Sequence, residues 1–121
     1  FWSGALTLGS TFLNVKFMNH KCFNQSLCKT NSGEVFLSNC GQCFKVIFNN
    51  IVLIHGYESY LTYFKNIENC HYSIKGDSDQ ETRDIVFSTF SNCMILCFSV
   101  TEIAELYYLL QSALIEAKIY V

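Results

Sequence analysis

The chain has 121 residues and a mass of 13.9 kDa, which leaves room for one domain of ordinary size. Hydrophobic residues make up 50% of it and charged residues only 15%, a balance that excludes an intrinsically disordered chain. The net charge of −2 lacks the basic excess of a sequence-independent nucleic-acid binder, and no apolar run reaches the ~18 residues of a membrane-spanning helix. We therefore expect neither a nucleic acid nor a membrane as partner.

Residues 1–17 differ from the rest of the chain. They are apolar and small apart from Lys16, and this charge follows the apolar stretch, whereas a signal peptide has basic residues before it. We interpret this segment as an N-terminal extension of upstream or fragment sequence, with a truncated signal peptide as the alternative. Met18 is the first internal start candidate, so we predict a single α+β domain over residues 18–121.

Three β-rich runs, residues 34–38, 44–48 and 51–54, follow one another with turn residues between them. The first junction contains the tight sequence Cys40-Gly41-Gln42-Cys43, and the second is Asn49-Asn50. An asparagine pair suits a two-residue hairpin, because asparagine tolerates the positive φ that such turns require. The three runs therefore predict an antiparallel meander.

The next segment has helical periodicity. Apolar residues recur from Tyr57 to Ile67 at the spacing of one helix face, which predicts an amphipathic helix of about three turns. We expect this helix to end near Asn69-Cys70, before the polar, loop-like residues 73–82.

The second half of the chain begins with two further strand candidates. Residues 84–90 and 93–98 lie on either side of the turn residues Ser91-Asn92. The later run is almost entirely apolar, so we expect both of its faces to be covered. Cys93 and Cys97, which bracket its apolar centre, are predicted to be small buried hydrophobic residues.

A second helix follows, and it completes the fold. Ser99 and Glu102 have the spacing of a capping box, and the apolar stripe from Ile103 to Ala117 predicts a long amphipathic helix. The order β-β-β-α-β-β-α predicts an α+β fold, with one antiparallel sheet of about five strands and both helices on one face. Because each half ends in a hairpin and a helix, we interpret the chain as a candidate for an internal ββα duplication.

The motifs also follow a recognisable order. The chain carries a cysteine, a glycine, a C-x-x-C motif, a β-rich run and an asparagine hairpin, here Cys22, Gly33, Cys40 and Cys43, residues 44–48, and Asn49-Asn50. The helix after Tyr57, a second strand pair and a Leu-rich helix come next. In this order the chain resembles a family of small uncharacterised Bacteroidota proteins, over about residues 18–118. The resemblance implies the fold and a start near Met18. It implies no activity, because the function of that family's domain is unknown.

The cysteines are the chemically richest residues of the chain. There are seven, and an odd number leaves one thiol over in any closed set of disulfides. Without a clear signal peptide, a reducing compartment is the better interpretation, so we predict the cytoplasm. The two cysteines of a C-x-x-C motif can bind one zinc ion, which takes four such ligands. We predict a structural zinc site at the N-terminal hairpin, formed by Cys22, Cys28, Cys40 and Cys43, with His20 as a further candidate ligand.

Three other interpretations of the C-x-x-C motif stay open. Cys70 and His71 can complete a zinc site with Cys40 and Cys43, although such residues, like His55, are more often solvated loop or helix-cap positions. A thiol redox protein would place the motif at a helix N-terminus, where the dipole lowers the thiol pKa, but here it lies between two β-rich runs. The third interpretation is a hairpin with two unliganded thiols.

No sequence motif supports an enzyme. The chain has no Gly-rich phosphate loop, nucleophile elbow or H-E-x-x-H motif, and nothing in it identifies a small-molecule substrate. We therefore predict a non-enzymatic binding or regulatory module, with a thiol-dependent redox protein as the alternative. We also predict a homodimer or a protein partner, because Tyr63 and Tyr108 flank the helix stripes and residues 51–54 and 94–98 offer sheet edges with little charge.

Overall fold

The computed structural model describes residues 22–74, 80–88 and 93–118. In these ranges every strand pairing is antiparallel, and the predicted α+β fold is confirmed, in the order β-β-β-β-α-β-β-α. The elements are β1 (Gln25–Lys29), β2 (Gly33–Leu37), β3 (Cys43–Phe48), β4 (Ile51–Gly56), α1 (Tyr57–Ser73), β5 (Ile85–Ser88), β6 (Ile95–Phe98) and α2 (Val100–Glu116).

Some of the sequence predictions concern other parts of the chain. Residues 1–17, the predicted extension, lie outside the described ranges, as do His20 and the predicted turn Ser91-Asn92. Within the described ranges, neither helix combines the length and the apolar character that a membrane crossing requires.

The strands form two sheets, so the prediction of a single sheet of about five strands is wrong. Strands β1 to β4 lie side by side in chain order, and β5 and β6 form a separate two-stranded ribbon. The sequence did not predict strand β1, because it is an edge strand with a bulge between Ser26 and Cys28. The bulge interrupts the regular alternation of side chains between the two faces of the strand. Only Leu27 of this strand is buried, so its sequence gives little apolar signal.

Both helices pack on one face of the four-stranded sheet, as predicted. Leu37 pairs with Phe44, and alternation along β2 places Gly33 on the same face as Leu37. The Tyr60 ring of α1 stacks on Phe44 at a centroid distance of 4.3 Å. On the other half of that face, a Cβ at Gly33 would lie 3.1 Å from Cδ2 of Leu109 in α2. Helix α1 therefore covers β3 and β4, and α2 covers β1 and β2.

The first hairpin–helix unit consists of β3, β4 and α1. Phe48 pairs with Ile51 across a two-residue turn, and Asn49 adopts a φ of 54°, so the predicted asparagine hairpin is confirmed. Helix α1 has 17 residues and continues to Ser73, beyond the end predicted near Asn69-Cys70. Its apolar stripe stops before the last turn, so periodicity alone did not show that turn.

The second hairpin–helix unit consists of β5, β6 and α2. Its predicted capping box is confirmed, because the Glu102 amide donates to Ser99 Oγ at 3.1 Å and the Ser99 amide donates to Glu102 Oε1 at 3.0 Å. Each unit ends in a helix of 17 residues, in agreement with the predicted ββα order. Descent of the two units from one ancestor stays a prediction.

The prediction that the β6 run is covered on both faces is wrong. Leu96 and Phe98 are buried, but Ile95 keeps 59% of its surface exposed and Cys97 is exposed as well. Cys93, which we also predicted to be buried, is exposed. The reason is that β5 and β6 form a ribbon of their own, which turns one face to the core and the other away from it.

Candidate thiol site

The loop between β2 and β3 carries the C-x-x-C motif and is closed by hydrogen bonds to Ser38. The Ser38 amide donates to the carbonyl of Cys43 at 2.9 Å, and the Cys43 amide donates to Ser38 Oγ at 3.1 Å. The Gly41 amide donates to the carbonyl of Ser38 at 2.9 Å, and Gly41 has a φ of 74°, which a residue with a side chain rarely adopts. These bonds hold Cys40 and Cys43 in one tight turn.

The Cys40 thiol is exposed and is surrounded by hydrogen-bond donors. Its Sγ lies 3.2 Å from Ser38 Oγ. This hydrogen bond is the main cause that lowers the pKa of the Cys40 thiol, and the backbone amide of Gln42 adds to it, because donors stabilise the thiolate. The loop therefore favours the form of cysteine that binds metal ions and attacks electrophiles.

Cys43 and Cys22 lie at the same end of the sheet as Cys40. Cys43 is half-buried as the first residue of β3, where it pairs with Gly56. Cys22 is exposed, and its carbonyl accepts a hydrogen bond from the Asn39 amide at 2.9 Å. This bond places the backbone of Cys22 against the loop, so three of the four predicted ligands reach one end of the sheet.

Cys28 lies on the face of the sheet opposite to Cys43. It pairs with Val35 and packs against the core that the helices cover. Cys43 lies three residues before Val46, the partner of Val35, so it points to the opposite face. Across the described ranges, no group of three or more His, Cys, Asp or Glu side chains is arranged to hold a metal ion. The four cysteines are therefore not brought together as one set, and zinc binding stays a prediction.

The other candidate partners of the loop lie far from it. Helix α1 begins beside Gly56, and Cys70 follows fourteen residues later, about 21 Å along the helix axis. Cys70 and His71 therefore do not join Cys40 and Cys43. The motif itself leads into β3, so it does not lie at a helix N-terminus, where a thioredoxin-like site would place it.

His55 is a buried residue that the sequence interpretation placed in solvent or at a helix cap, and that interpretation is wrong. Only 8% of its surface is exposed, and its Nδ1 lies 2.8 Å from Ser59 Oγ. The ring stacks on Tyr63 at 5.0 Å, and burial lowers the pKa of His55 to about 4. Within the described residues Nε2 has no hydrogen-bond partner. His55 pairs with Phe44 on the face of the sheet that the helices cover, a position that local sequence did not reveal.

Lys45 is a second buried polar residue that sequence reasoning passed over. It lies on the sheet face away from the helices, with 1% of its surface exposed. Its Nζ lies 4.7 Å from the centroid of the Phe36 ring and 5.5 Å from that of Phe23. Contacts of an ammonium group with ring faces offset part of the cost of its burial.

A group of aromatic side chains, the tyrosine patch (His71, Tyr72, Tyr107 and Tyr108), lies where the end of α1 meets α2. The His71 ring stacks on Tyr107 at 4.8 Å, and the hydroxyl of Tyr72 lies 3.2 Å from that of Tyr107. Tyr72 keeps 71% of its surface exposed and Tyr108 59%. The stripe of α2 pointed to Tyr108, but Tyr72 lies beyond the predicted end of α1, so the patch as a whole was not predictable.

Comparison with known proteins places the chain in one family. Residues 18–119 match the model of a family described as a family of unknown function, DUF6686, and this span includes every described residue. No curated protein and no solved structure matches the chain significantly. The match agrees with the predicted domain of unknown function, whereas the Bacteroidota source and the cysteine pattern of the family stay predictions.

Proposed function

The chain belongs to the DUF6686 family of unknown function, and we propose that it is a non-enzymatic binding module that holds a zinc ion at the β2–β3 loop. The observation that carries this proposal is the exposed Cys40 Sγ, 3.2 Å from Ser38 Oγ and close to backbone amides. Zinc binds cysteine as the thiolate, so a turn that stabilises the thiolate favours the metal. Cys43 follows at the spacing of a zinc-binding pair.

The chemistry of this pair favours zinc over magnesium or calcium. Thiolates are soft ligands, whereas magnesium and calcium take oxygen ligands. Two thiolates fill half of a tetrahedral site. Of the two other cysteines that we predicted as ligands, Cys22 has its backbone against the loop, and Cys28 packs on the far side of the sheet. Cys22 is therefore the cysteine best placed to join Cys40 and Cys43 as a third zinc ligand from the same chain.

The absence of disulfides in the described ranges supports a reducing compartment. Every cysteine there is a thiol outside a disulfide, and Cys22, Cys40 and Cys97 are exposed. Exposed thiols persist where glutathione and thioredoxin keep them reduced, and only reduced cysteine binds zinc. The proposal therefore includes a cytoplasmic location.

The metal content of the purified protein tests this proposal. We expect zinc in the wild-type protein and its loss in Cys40→Ser and Cys43→Ser, measured by mass spectrometry of the metal. Cys97→Ser is the matched control, because Cys97 is an exposed thiol in a different hairpin, and this variant is expected to keep its zinc. Wild-type protein that stays zinc-free after incubation with the metal, or loop variants that retain it, would refute zinc binding.

A thiol-dependent redox protein is the second candidate, which the exposed Cys40 thiol also favours. The Cys40 thiolate would attack a substrate disulfide, which forms a mixed disulfide and releases one substrate thiol. The Cys43 thiolate would then attack the Cys40 sulfur, which releases the second substrate thiol. The two protein thiols lose two electrons and two protons and form one disulfide, while the substrate disulfide is reduced to two thiols. A reversible Cys40–Cys43 disulfide in protein that binds no zinc would favour this candidate over the first.

The predicted homodimer or protein partner remains part of the proposal. Tyr72 and Tyr108 expose most of their aromatic surface, and aromatic side chains are enriched at protein interfaces. Tyr63, the other residue that we expected at an interface, is half-buried and stacks on His55, so its support is weaker. Sedimentation of the purified chain across the micromolar range tests association, and a monomer without a bound partner would contradict it.

A further inference from the structure

We propose that the zinc site is shared by two copies of the chain, each of which supplies Cys40 and Cys43 to a single tetrahedral ion. This inference rests on the proposed zinc binding and states what completes the site. A structural zinc ion takes four protein ligands, and one β2–β3 loop supplies two. Two identical loops related by a two-fold axis supply all four, and such a contact closes on itself as a dimer.

Cys28, Cys70 and Cys97 are poorly placed to complete the site within one chain. Cys28 faces the core on the opposite side of the sheet, and Cys70 lies about 21 Å along α1. The ribbon that carries Cys97 lies beyond the far end of β3, because the Phe98 ring meets Phe48 at 6.1 Å. Strand β3 separates Phe48 from the loop by about 17 Å.

Cys22 is the cysteine whose backbone lies against the loop. It is exposed, and the hydrogen bond from Asn39 fixes the position of its carbonyl. It does not form a group of three ligands with Cys40 and Cys43 in the described part of the chain. The variant Cys22→Ser therefore tests directly whether Cys22 is a ligand.

The loop is open to a second copy. Sulfur atoms on one zinc ion lie about 3.8 Å apart, given a bond of ~2.3 Å, so two loops must approach closely. Residues 39–42 are all exposed, and nothing lies within 4 Å of the place where a Cβ of Gly41 would be. A turn with a glycine at its tip lets a second backbone come this near.

The charge of the loop also suits this arrangement. The segment from Ser38 to Cys43 contains no acidic or basic side chain, so two copies bring no fixed charges together. Four thiolates around one Zn²⁺ leave an excess of negative charge. The Ser38 hydroxyl and the amides of Gln42 and Cys43, contributed twice in the dimer, offset that excess at the Cys40 sulfurs.

Sedimentation velocity on the full chain, with zinc measured in the same sample, tests the shared site. We expect a dimer with one zinc ion for every two chains, a monomer after removal of zinc by a chelator, and a dimer again when zinc is restored. Titration with Co²⁺, followed by its visible thiolate absorption, is expected to saturate at one ion for every two chains. The chelator experiment uses wild-type protein, so it tests whether the dimer depends on zinc even if a variant fails to fold.

Variants identify the ligands. Cys40→Ser is expected to be monomeric and zinc-free, whereas Cys22→Ser and Cys97→Ser are expected to form the zinc dimer like the wild type. A monomer with one zinc ion for each chain, or loss of zinc in Cys22→Ser, would overturn the shared site while upholding zinc binding. A dimer that survives the chelator would overturn it as well. Protein that binds no zinc at all would overturn both the shared site and the proposed function.

Discussion

The two hairpin–helix units have the same order of elements but different supports. The hairpin of the first unit is half of a four-stranded sheet, with β4 as its edge strand, and its helix begins after Gly56 without a side-chain cap. Tyr60 holds this helix instead: it is fully buried, stacks on Phe44 and donates a hydrogen bond to the carbonyl of Leu110 at 2.9 Å. The first unit therefore depends on packing at its centre.

The second unit adds polar contacts at the start of its helix to the apolar face that this helix buries. Its hairpin is an isolated ribbon, and two-stranded ribbons are only marginally stable alone. Glu102 closes the capping box, pairs with Arg83 at 2.8 Å and accepts a hydrogen bond from Asn49 at 3.2 Å. The Glu102 carboxylate thus connects the segment before β5, helix α2 and the β3–β4 turn. A repeated order of elements therefore does not fix how each copy is stabilised.

The largest effect is expected at Tyr60. Tyr60→Ala removes a fully buried aromatic ring and should lower the free energy of unfolding by ~3–5 kcal/mol. Urea denaturation at neutral pH measures it, and Ile115→Ala, at an exposed position of α2, is the control, with an expected change within ~0.5 kcal/mol. Equal losses in the two variants would contradict a first unit held by its core.

His55 gives the first unit a dependence on pH. Because burial lowers the pKa of His55 to about 4, the unfolded chain takes up a proton below its usual pKa of 6.5 while the folded chain does not. Stability is therefore complete above pH ~6.5 and falls as the pH drops towards 4, by at most ~3 kcal/mol. His55→Gln should flatten this slope in urea denaturation between pH 7.5 and 4.5, whereas Asn66→Gln, at an exposed position of α1, should keep it.

Local signals explain which parts of the fold the sequence could predict. The asparagine turn at Asn49 and the capping box at Ser99 involve neighbouring residues, and both were predicted. Strand β1 and the exposure of Ile95 depend on which elements lie beside them, and both were missed. No local pattern distinguishes an apolar strand covered on two faces from one that is covered on one.

The candidate site shows the same division. The C-x-x-C loop was predictable, because its cysteines are three residues apart within one turn. The sheet face on which Cys28 lies was not predictable, because it depends on the bulge in β1 and on the pairing of Cys28 with Val35. The lowering of the pKa of the Cys40 thiol was not predictable either, because it depends on the contact with the Ser38 hydroxyl in the folded loop and not on the cysteine spacing.

An intermediate effect is expected at Glu102 in the second unit. Glu102→Ala removes the cap and the Arg83 pair and should cost ~1–2 kcal/mol at pH 7, whereas Glu105→Ala, on the exposed face, should change little. Burial would raise the pKa of Glu102, but hydrogen bonds from Arg83 and Ser99 outweigh it and hold the pKa below its usual 4.5. The contribution is therefore present above pH ~4.5 and lost in stronger acid, where wild type and variant should converge in thermal denaturation.

The smallest effect is expected on the outer face of the ribbon. Ile95 is 59% exposed and Leu96, its neighbour in β6, is buried, so the two test opposite faces of one strand. Ile95→Thr keeps a β-branched side chain and should change the free energy of unfolding by no more than ~0.5 kcal/mol, because little apolar surface is lost from the core. Leu96→Ala should cost ~2–5 kcal/mol, because it leaves a cavity against the core. Urea denaturation of both variants at neutral pH measures the contrast. A loss of ~2 kcal/mol or more in Ile95→Thr would mean that this face is covered in solution, and the ribbon would then resemble the hairpin of the first unit after all.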